Sequence, residues 1–272
     1  MEEGRRGNII AVFSTASAVG KTLISINMAA ELAQENYRVC LVDLDLQFGD
    51  VCNYLHIAPQ VTIADAQREA EKNVDAFDVN KFLIPYSYNG QGFQVLAAPR
   101  GLDEAFNMTT MAVQHILQAL QYHFDFVVVD TTSAFSEMNL AVMDMSTIIT
   151  FLGIVDFIPT IKNMKIGCDT IRSLGYESSK IRLVLNRSNS KTKIDLEDVE
   201  SLLGEPFYHI LPNDFGAARD SIATGVPLVY SSQSGLSHDL RALVARYTNH
   251  QIERGDDDEA GVTSWFKKIF SK

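Results

Sequence analysis

Nine consecutive residues, Ser14-Thr15-Ala16-Ser17-Ala18-Val19-Gly20-Lys21-Thr22, combine the types and spacing needed to hold a phosphate. Small residues let backbone amides of Ala18, Val19 and Gly20 approach an anion, and Gly20 gives the closest approach. Lys21 adds a point charge, and the Thr22 hydroxyl is a hard oxygen ligand suited to Mg²⁺. The pattern G-x-x-x-x-G-K-[ST] is imperfect here, because Thr15 stands where its first glycine belongs. Taken alone, the segment also fits a small-residue helix start with an incidental Gly-Lys-Thr.

Two carboxylate-bearing runs argue against that plainer account. Val39-Cys40-Leu41-Val42-Asp43-Leu44-Asp45 and Phe126-Val127-Val128-Val129-Asp130 are apolar stretches that end in acids. Continuous Val and Leu runs suit parallel strands covered on both faces, and open α/β sheets bind ligands at the carboxyl ends of such strands. Mg²⁺ keeps several of its waters, so Asp43 and Asp130 are placed to hold them, and Asp45 to orient an attacking water. A single Asp after a strand is as readily a turn residue or a helix cap. Three such features in one order are much harder to obtain by accident.

These residues need elements to carry them. The apolar run Ile9–Phe13 precedes the loop, and Leu23–Leu32 follows it with a helical pattern. Further along, the patterning predicts strands near 9–14, 39–44, 92–97, 125–130, 147–154, 180–186 and 206–211. Helices are predicted near 21–35, 108–122, 160–174, 195–203, 216–224 and 236–252, and the segment 61–90 is mixed, with one helix around 61–68 and no assignable chemistry. Strand and helix patterns alternate without a break across 272 residues, which suits one α/β domain, and a hydrophobic content of 46% is ample for its core. The net charge of −11 disfavours broad attraction to nucleic acid. Cys40, Cys52 and Cys168 are scattered, without metal-ligand spacing, as expected of reduced thiols in the cytoplasm. The first residues lack the apolar core of a secretory signal, and no run reaches the ~20 apolar residues of a membrane span.

The order of motifs resembles the MinD/ParA family of deviant-Walker ATPases. It runs from the phosphate loop through Asp43-Leu44-Asp45-Leu46-Gln47-Phe48-Gly49-Asp50 and Val127-Val128-Val129-Asp130 to Leu183-Val184-Leu185-Asn186-Arg187. Within that family, Asp43–Asp50 is similar to the CpaE/TadZ branch, which helps position Flp/Tad pilus machinery. The later pieces Ile194–Glu200, Leu211-Pro212-Asn213-Asp214 and Gly225-Val226-Pro227-Leu228 fit as well, so the resemblance covers roughly Asn8 to Tyr247. It implies a three-layer P-loop NTPase fold with a mostly parallel twisted sheet flanked by helices. It also implies ATP and Mg²⁺ as cofactors, a homodimer formed on ATP, Asp130 as the second acidic motif, and Asn186 with Arg187 and Pro212 around the adenine.

One departure bears on activity. The family loop K-G-G-x-G-K-T opens with a lysine that reaches a partner's phosphates across the dimer. That position is Ala16 here, and the two glycines become Ser17 and Ala18. A charge near a transferring phosphoryl group is the kind of contact that speeds hydrolysis, so ATP binding is expected to persist while hydrolysis is weak or absent. Three other readings share the core: a bacterial tyrosine kinase, a small-molecule ligase of the dethiobiotin-synthetase kind, and a MinD-like regulator of the division site. The kinase reading lacks the usual terminal tyrosine cluster, since the last tyrosine is Tyr247.

The chain therefore divides into a leader or linker at 1–7, a nucleotide-binding domain at 8–254, an acidic tether at 255–261 and a final segment at 262–272. At helical spacing Trp265 pairs with Ile269 and Phe266 with Phe270, while Lys267, Lys268 and Lys272 gather elsewhere. An apolar stripe beside lysines suits the surface of an anionic membrane, and it resembles the terminal membrane-targeting helix of MinD. Docking on its own domain and a handle for a partner protein are the competing uses. The resemblance thus implies a cytoplasmic protein peripherally bound to the inner face of the membrane, with pilus-assembly proteins as partners. Two tails on one dimer bind with an apparent affinity raised by about 10²–10⁴ if both reach the surface. In co-sedimentation with anionic vesicles, the full chain is expected to pellet more with ATP than with ADP, and a chain ending at Gly261 to stay in solution. Equal pelleting of the shortened chain would remove the tail as an anchor.

Overall fold

A strand in which every residue is apolar is satisfied only when both its faces are covered. β1 (Asn8–Phe13) meets that demand: Ile10 and Val12 enter one core, whereas Ile9 and Ala11 enter a second and Phe13 a third. The computed structural model describes residues 6–73, 76–188 and 194–249. Around β1 it builds an eight-stranded sheet with β2 (Val39–Asp43), β3 (Ile84–Tyr88), β4 (Gln91–Leu96), β5 (Phe126–Asp130), β6 (Ile148–Gly153), β7 (Ile181–Leu185) and β8 (His209–Ile210). The spatial order is β3-β4-β2-β5-β1-β6-β7-β8, and every pairing is parallel except β3 with β4.

Helices cover both faces. α1 (Lys21–Gln34) is buried on nearly all sides from Ile24 to Ala33, because it lies between the sheet and two later helices, α10 (Leu228–Ser231) and α11 (Gly235–Thr248). Between α1 and β3 come the short α2 (Val51–Tyr54) and α3 (Ile63–Lys72). The opposite face carries α3 and α5 (Thr110–His123), reached after the single turn of α4 (Leu102–Phe106), and then α6 (Glu137–Met145). α7 (Ile158–Ser173) and α8 (Leu196–Leu203) close the third core, and α9 (Phe215–Thr224) follows β8. This is the α/β class that the alternation of patterns predicts, in the three-layer arrangement that the family resemblance implies.

The strand and helix expectations hold apart from their ends, with one strand and four short helices added. The mixed segment 61–90 holds β3, which forms an antiparallel hairpin with β4 through Asn89 and Gly90, both at positive φ. Pro85 takes an outward position between Ile84 and Tyr86, and a proline there argues against a strand interior but suits an edge. Four short helices, α2, α4, α6 and α10, were also absent from the sequence pattern. Cys40 and Cys168 are buried and Cys52 half-buried, and all three are free thiols. The acidic tether and the terminal stripe at 255–272 lie outside the described residues.

Parallel order puts the carboxyl ends of β1, β2, β5 and β7 along one rim. In register, Val12 stands beside Asp130 and Asp43 beside Asp130, which brings the acids next to the loop that leaves β1.

α1 also buries a charge. Glu31 is 7% exposed, its Oε2 accepts no hydrogen bond, and Arg241 Nε of α11 lies 3.8 Å away. Burial lifts its pKa from 4.5 to about 7, against the pull of Arg241 and with added repulsion from Glu35. The folded state therefore holds this proton more tightly than the unfolded chain, so stability falls as pH rises through 4.5 to 7 and is lowest above 7. Glu31→Gln is expected to stabilise the protein at pH 8 by on the order of 1–3 kcal/mol, and by little at pH 4.5. Calorimetric melting at the two pH values checks this, and an equal gain at both would refute it.

Candidate nucleotide site

The chain leaves β1 at Phe13 and re-enters regular structure at Lys21, and the intervening loop makes two left-handed steps. Ala18 has φ 58° and Gly20 φ 99°. A Cβ on Gly20 would meet Asn186 Nδ2 at 2.8 Å, so glycine is required there by torsion and by space. Ala18 has no such freedom, and the left-handed conformation costs it about 1–2 kcal/mol. Neighbours offset that strain. Asn186 Nδ2 donates to the Val19 carbonyl at 2.9 Å, and an Arg187 guanidinium N–H donates to the Ala18 carbonyl at 2.9 Å. Each hydrogen bond contributes about 0.5–1.5 kcal/mol net. Arg187 is itself left-handed, with φ 58°, and its N–H donates to Asn186 Oδ1 at 2.9 Å. The exit of β7 is therefore a clamp on the loop.

The first half of the loop is fixed differently. Ser14 Oγ accepts from Ala16 N–H at 3.1 Å, and half-buried Ala16 packs on the core beneath α1. Thr15, the residue that breaks the glycine pattern, fits because α7 is bare at Gly167. A Cβ at Gly167 would lie 2.4 Å from Thr15 Cγ2 and 2.7 Å from Phe151 Cζ.

Behind the loop stand the acids. Asp43 and Asp130, each 1% exposed, are paired across β2 and β5. Burial and the proximity of Asp130 push Asp43 well above the usual carboxylate range, although its oxygens accept N–H groups of Val51 at 3.1 Å and Asp45 at 3.2 Å. Burial raises Asp130 to about 6, opposed by the Thr22 side chain, the Lys21 charge and Ser25 Oγ, which donates to it at 3.1 Å. Gly49 lets the Leu44–Asp50 loop pass over this pair, since a Cβ there would lie 2.6 Å from Asp43 Oδ2.

Two joined hollows open in front. A cleft of about 840 Å³ is walled by Ala18, Gly20, Lys21, Thr22, Asp45 and Arg187, with the Leu46–Phe48 loop and the start of α6 opposite. An adjoining pocket of about 380 Å³, mostly apolar, lies against Leu23, Asn186, Pro212, Phe215 and Ile222. Gly20 and Arg187 belong to both. Val19 is fully buried and lines neither hollow, its carbonyl accepting from Asn186, while Asp43 and Asp130 sit behind the wall. Asp45 Oδ1 accepts from Phe48 N–H at 3.3 Å, which holds the carboxylate at the cleft's edge. Burial lowers the Lys21 pKa, opposed by Asp130 and Asp45.

A divalent cation suits this donor set. The oxygens of Thr22, Asp43 and Asp130 are hard, and two buried carboxylates side by side repel one another until positive charge arrives. Among the described residues no cluster of three His, Cys, Asp or Glu could cage a metal alone.

Sequence reasoning missed several contributors. Ser133 Oγ accepts from Lys21 Nζ at 2.7 Å across 112 residues, Ser25 holds Asp130, and Tyr54 and Phe215 supply walls. The hydroxyl run Thr131-Thr132-Ser133 after Asp130 was the available signal.

A strand–loop–helix phosphate cradle backed by strand-end acids defines a nucleotide-binding α/β protein. The model of the CobQ/CobB/MinD/ParA nucleotide-binding domain matches residues 10–227, and the chain belongs to that family. It is 22% identical over 281 residues to the septum site-determining protein MinD of Thermotoga maritima, covering 98% of each. Among solved structures, a ParA family ATPase from Chlorobium tepidum superposes with a TM-score of 0.78 at 19% identity, covering 87% of this chain and 98% of that one. MinD of Pyrococcus horikoshii, solved with Mg-ADP, superposes with a TM-score of 0.74 at 18% identity, covering 94% and 98%. The family and the three-layer fold are thereby shown.

The fit of Thr15 into Gly167 predicts a coupling between α7 and the loop. Gly167→Ala is expected to destabilise the protein by about 1–3 kcal/mol, as overpacking does. Adding Thr15→Ser removes the methyl it strikes and recovers part of that loss, with the Phe151 contact accounting for the rest. Additive effects in thermal melts would show that the two sites do not touch.

Proposed function

We propose that this chain binds Mg-ATP, dimerises on the nucleotide and marks a membrane site for a larger assembly, in the manner of the CpaE/TadZ proteins of Flp/Tad pilus biogenesis. The observation that carries the binding half is the junction of a cation-bearing cleft with an apolar pocket at Gly20 and Arg187. A triphosphate fits the first and a purine the second. Amides of Ala18 to Thr22 and the Lys21 ammonium would hold the phosphates, Thr22 would ligate the metal, and Asp43 and Asp130 would hold its waters. Asn186 keeps one N–H and one lone pair beyond its bonds to the Val19 carbonyl and the Arg187 N–H, enough for an adenine edge. Arg187 and Pro212 flank the base. Bound Mg²⁺ supplies charge neutralisation between phosphates.

The assembly half rests on the similarity of Asp43–Asp50 to the CpaE/TadZ branch and on the aromatic, lysine-bearing residues 262–272. The division of labour proposed for the chain is a leader at 1–7, the domain at 8–254, the tether at 255–261 and the membrane segment at 262–272. A MinD-like regulator of the division site is the second reading, favoured by similarity to a MinD along its full length. Deleting the gene separates them: loss of surface pili supports the first, misplaced septa the second.

The loop departs from the family where it governs rate. The small, half-buried Ala16 offers no cation to a partner's phosphates, so Asp45 would have a water to orient but no second charge to assist it. Wild-type turnover is therefore expected well below about 1 s⁻¹, where enzyme turnovers usually begin. Lys21→Ala is expected to weaken ATP binding about ten- to a hundredfold in calorimetry, the usual scale of a charge-assisted phosphate contact. Unchanged affinity would overturn the binding site, and fast turnover abolished by Asp45→Ala would overturn the slow-hydrolysis reading.

A further inference from the structure

The segment between β5 and α6 is tied down at both ends and offers one hydroxyl to the loop. At its start, Thr131 Oγ1 donates to the Val12 carbonyl of β1 at 2.9 Å. At its end, Asn139 of α6, 1% exposed, brings Nδ2 to 2.8 Å from Thr132 Oγ1, 2.7 Å from the Ala134 carbonyl and 3.3 Å from the Thr132 carbonyl. Between these anchors, Ser133 Oγ accepts from Lys21 Nζ at 2.7 Å and donates to the Ala16 carbonyl at 2.9 Å.

We infer that Ser133 is a positioning residue for Lys21, resting on the nucleotide-binding reading above. Its single proton is committed to Ala16, so its lone pairs face the ammonium and the direction of the relay is fixed. Lys21 has three N–H donors, and Ser133 uses one, leaving two for phosphate oxygens. A lysine side chain free to rotate loses much of that freedom when it grips an anion, whereas one already held loses less. The same hydroxyl closes the loop at Ala16, where the sequence carries no cation. Asn139 and Thr131 hold the backbone that aims it.

The test is calorimetry on the full chain with Mg-ATP and with adenosine, for wild type, S133A, S133T, K21M and S133A/K21M, with thermal melts as folding controls. S133A is expected to weaken Mg-ATP binding about three- to tenfold, the scale of ordering one rotamer-rich side chain on binding. S133T, which keeps the hydroxyl, is expected to stay within about twofold of wild type by the same arithmetic. Adenosine affinity stays unchanged throughout. In the K21M background, S133A adds no further loss, because the residue it positions is gone. An unaltered S133A, an equal penalty in both backgrounds, or a parallel loss for adenosine would overturn the inference while leaving the phosphate site standing. If K21M itself binds Mg-ATP as wild type does, the phosphate site falls and this inference with it.

Discussion

A phosphate loop must hold its backbone amides bare and convergent, and this one has a single glycine with which to do so. The rest of the structure answers that constraint. The left-handed turn at Ala18 is held by Arg187, the carbonyl of Val19 by Asn186, and the carbonyl of Ala16 by Ser133. Three residues from two segments distant in sequence, the exit of β7 and the stretch after β5, thus supply from outside what glycines supply elsewhere from within. Gly167 of α7 extends the same logic, since only a bare position on that helix leaves room for Thr15.

Charge follows the same geometry. Parallel pairing brings Asp43 and Asp130 side by side at the rim, and burial makes both reluctant to ionise. Lys21 lies within reach of Asp130 and Asp45, and its own charge is disfavoured by burial. Such a cluster is well suited to an anion bound together with its cation, because the anion favours the Lys21 charge and the cation favours the two carboxylates.

Much of this was legible from residue types. Apolar runs ending in Asp43 and Asp130, a loop ending in Gly20-Lys21-Thr22, and Asn186-Arg187 after a strand were each readable, because strands and helix starts are local patterns. The order of the elements then placed them on one rim. What stayed hidden was non-local. Nothing in the text of the chain says that Ser133 meets Lys21, or that Gly167 faces Thr15, since those contacts depend on how α6 and α7 pack. The hairpin of β3 and β4 was hidden for a different reason: Ile84, Tyr86 and Tyr88 do alternate with exposed Pro85 and Ser87, but a proline within so short a run argues against a strand unless it lies at an edge. Asn186, expected at the base, proved also to brace the loop, a use that only the distance to Val19 reveals.

The central claim is that the loop is preorganised by its neighbours and receives nucleotide without refolding. A crystal structure of the full chain with Mg-ADP tests it directly. Phosphates are expected on the amides of Ala18 to Thr22 and adenine beside Pro212, with Ala18 and Gly20 still left-handed and Arg187 and Asn186 on their present carbonyls. A nucleotide bound elsewhere, or a loop that abandons its left-handed turn at Ala18 to bind, would contradict it.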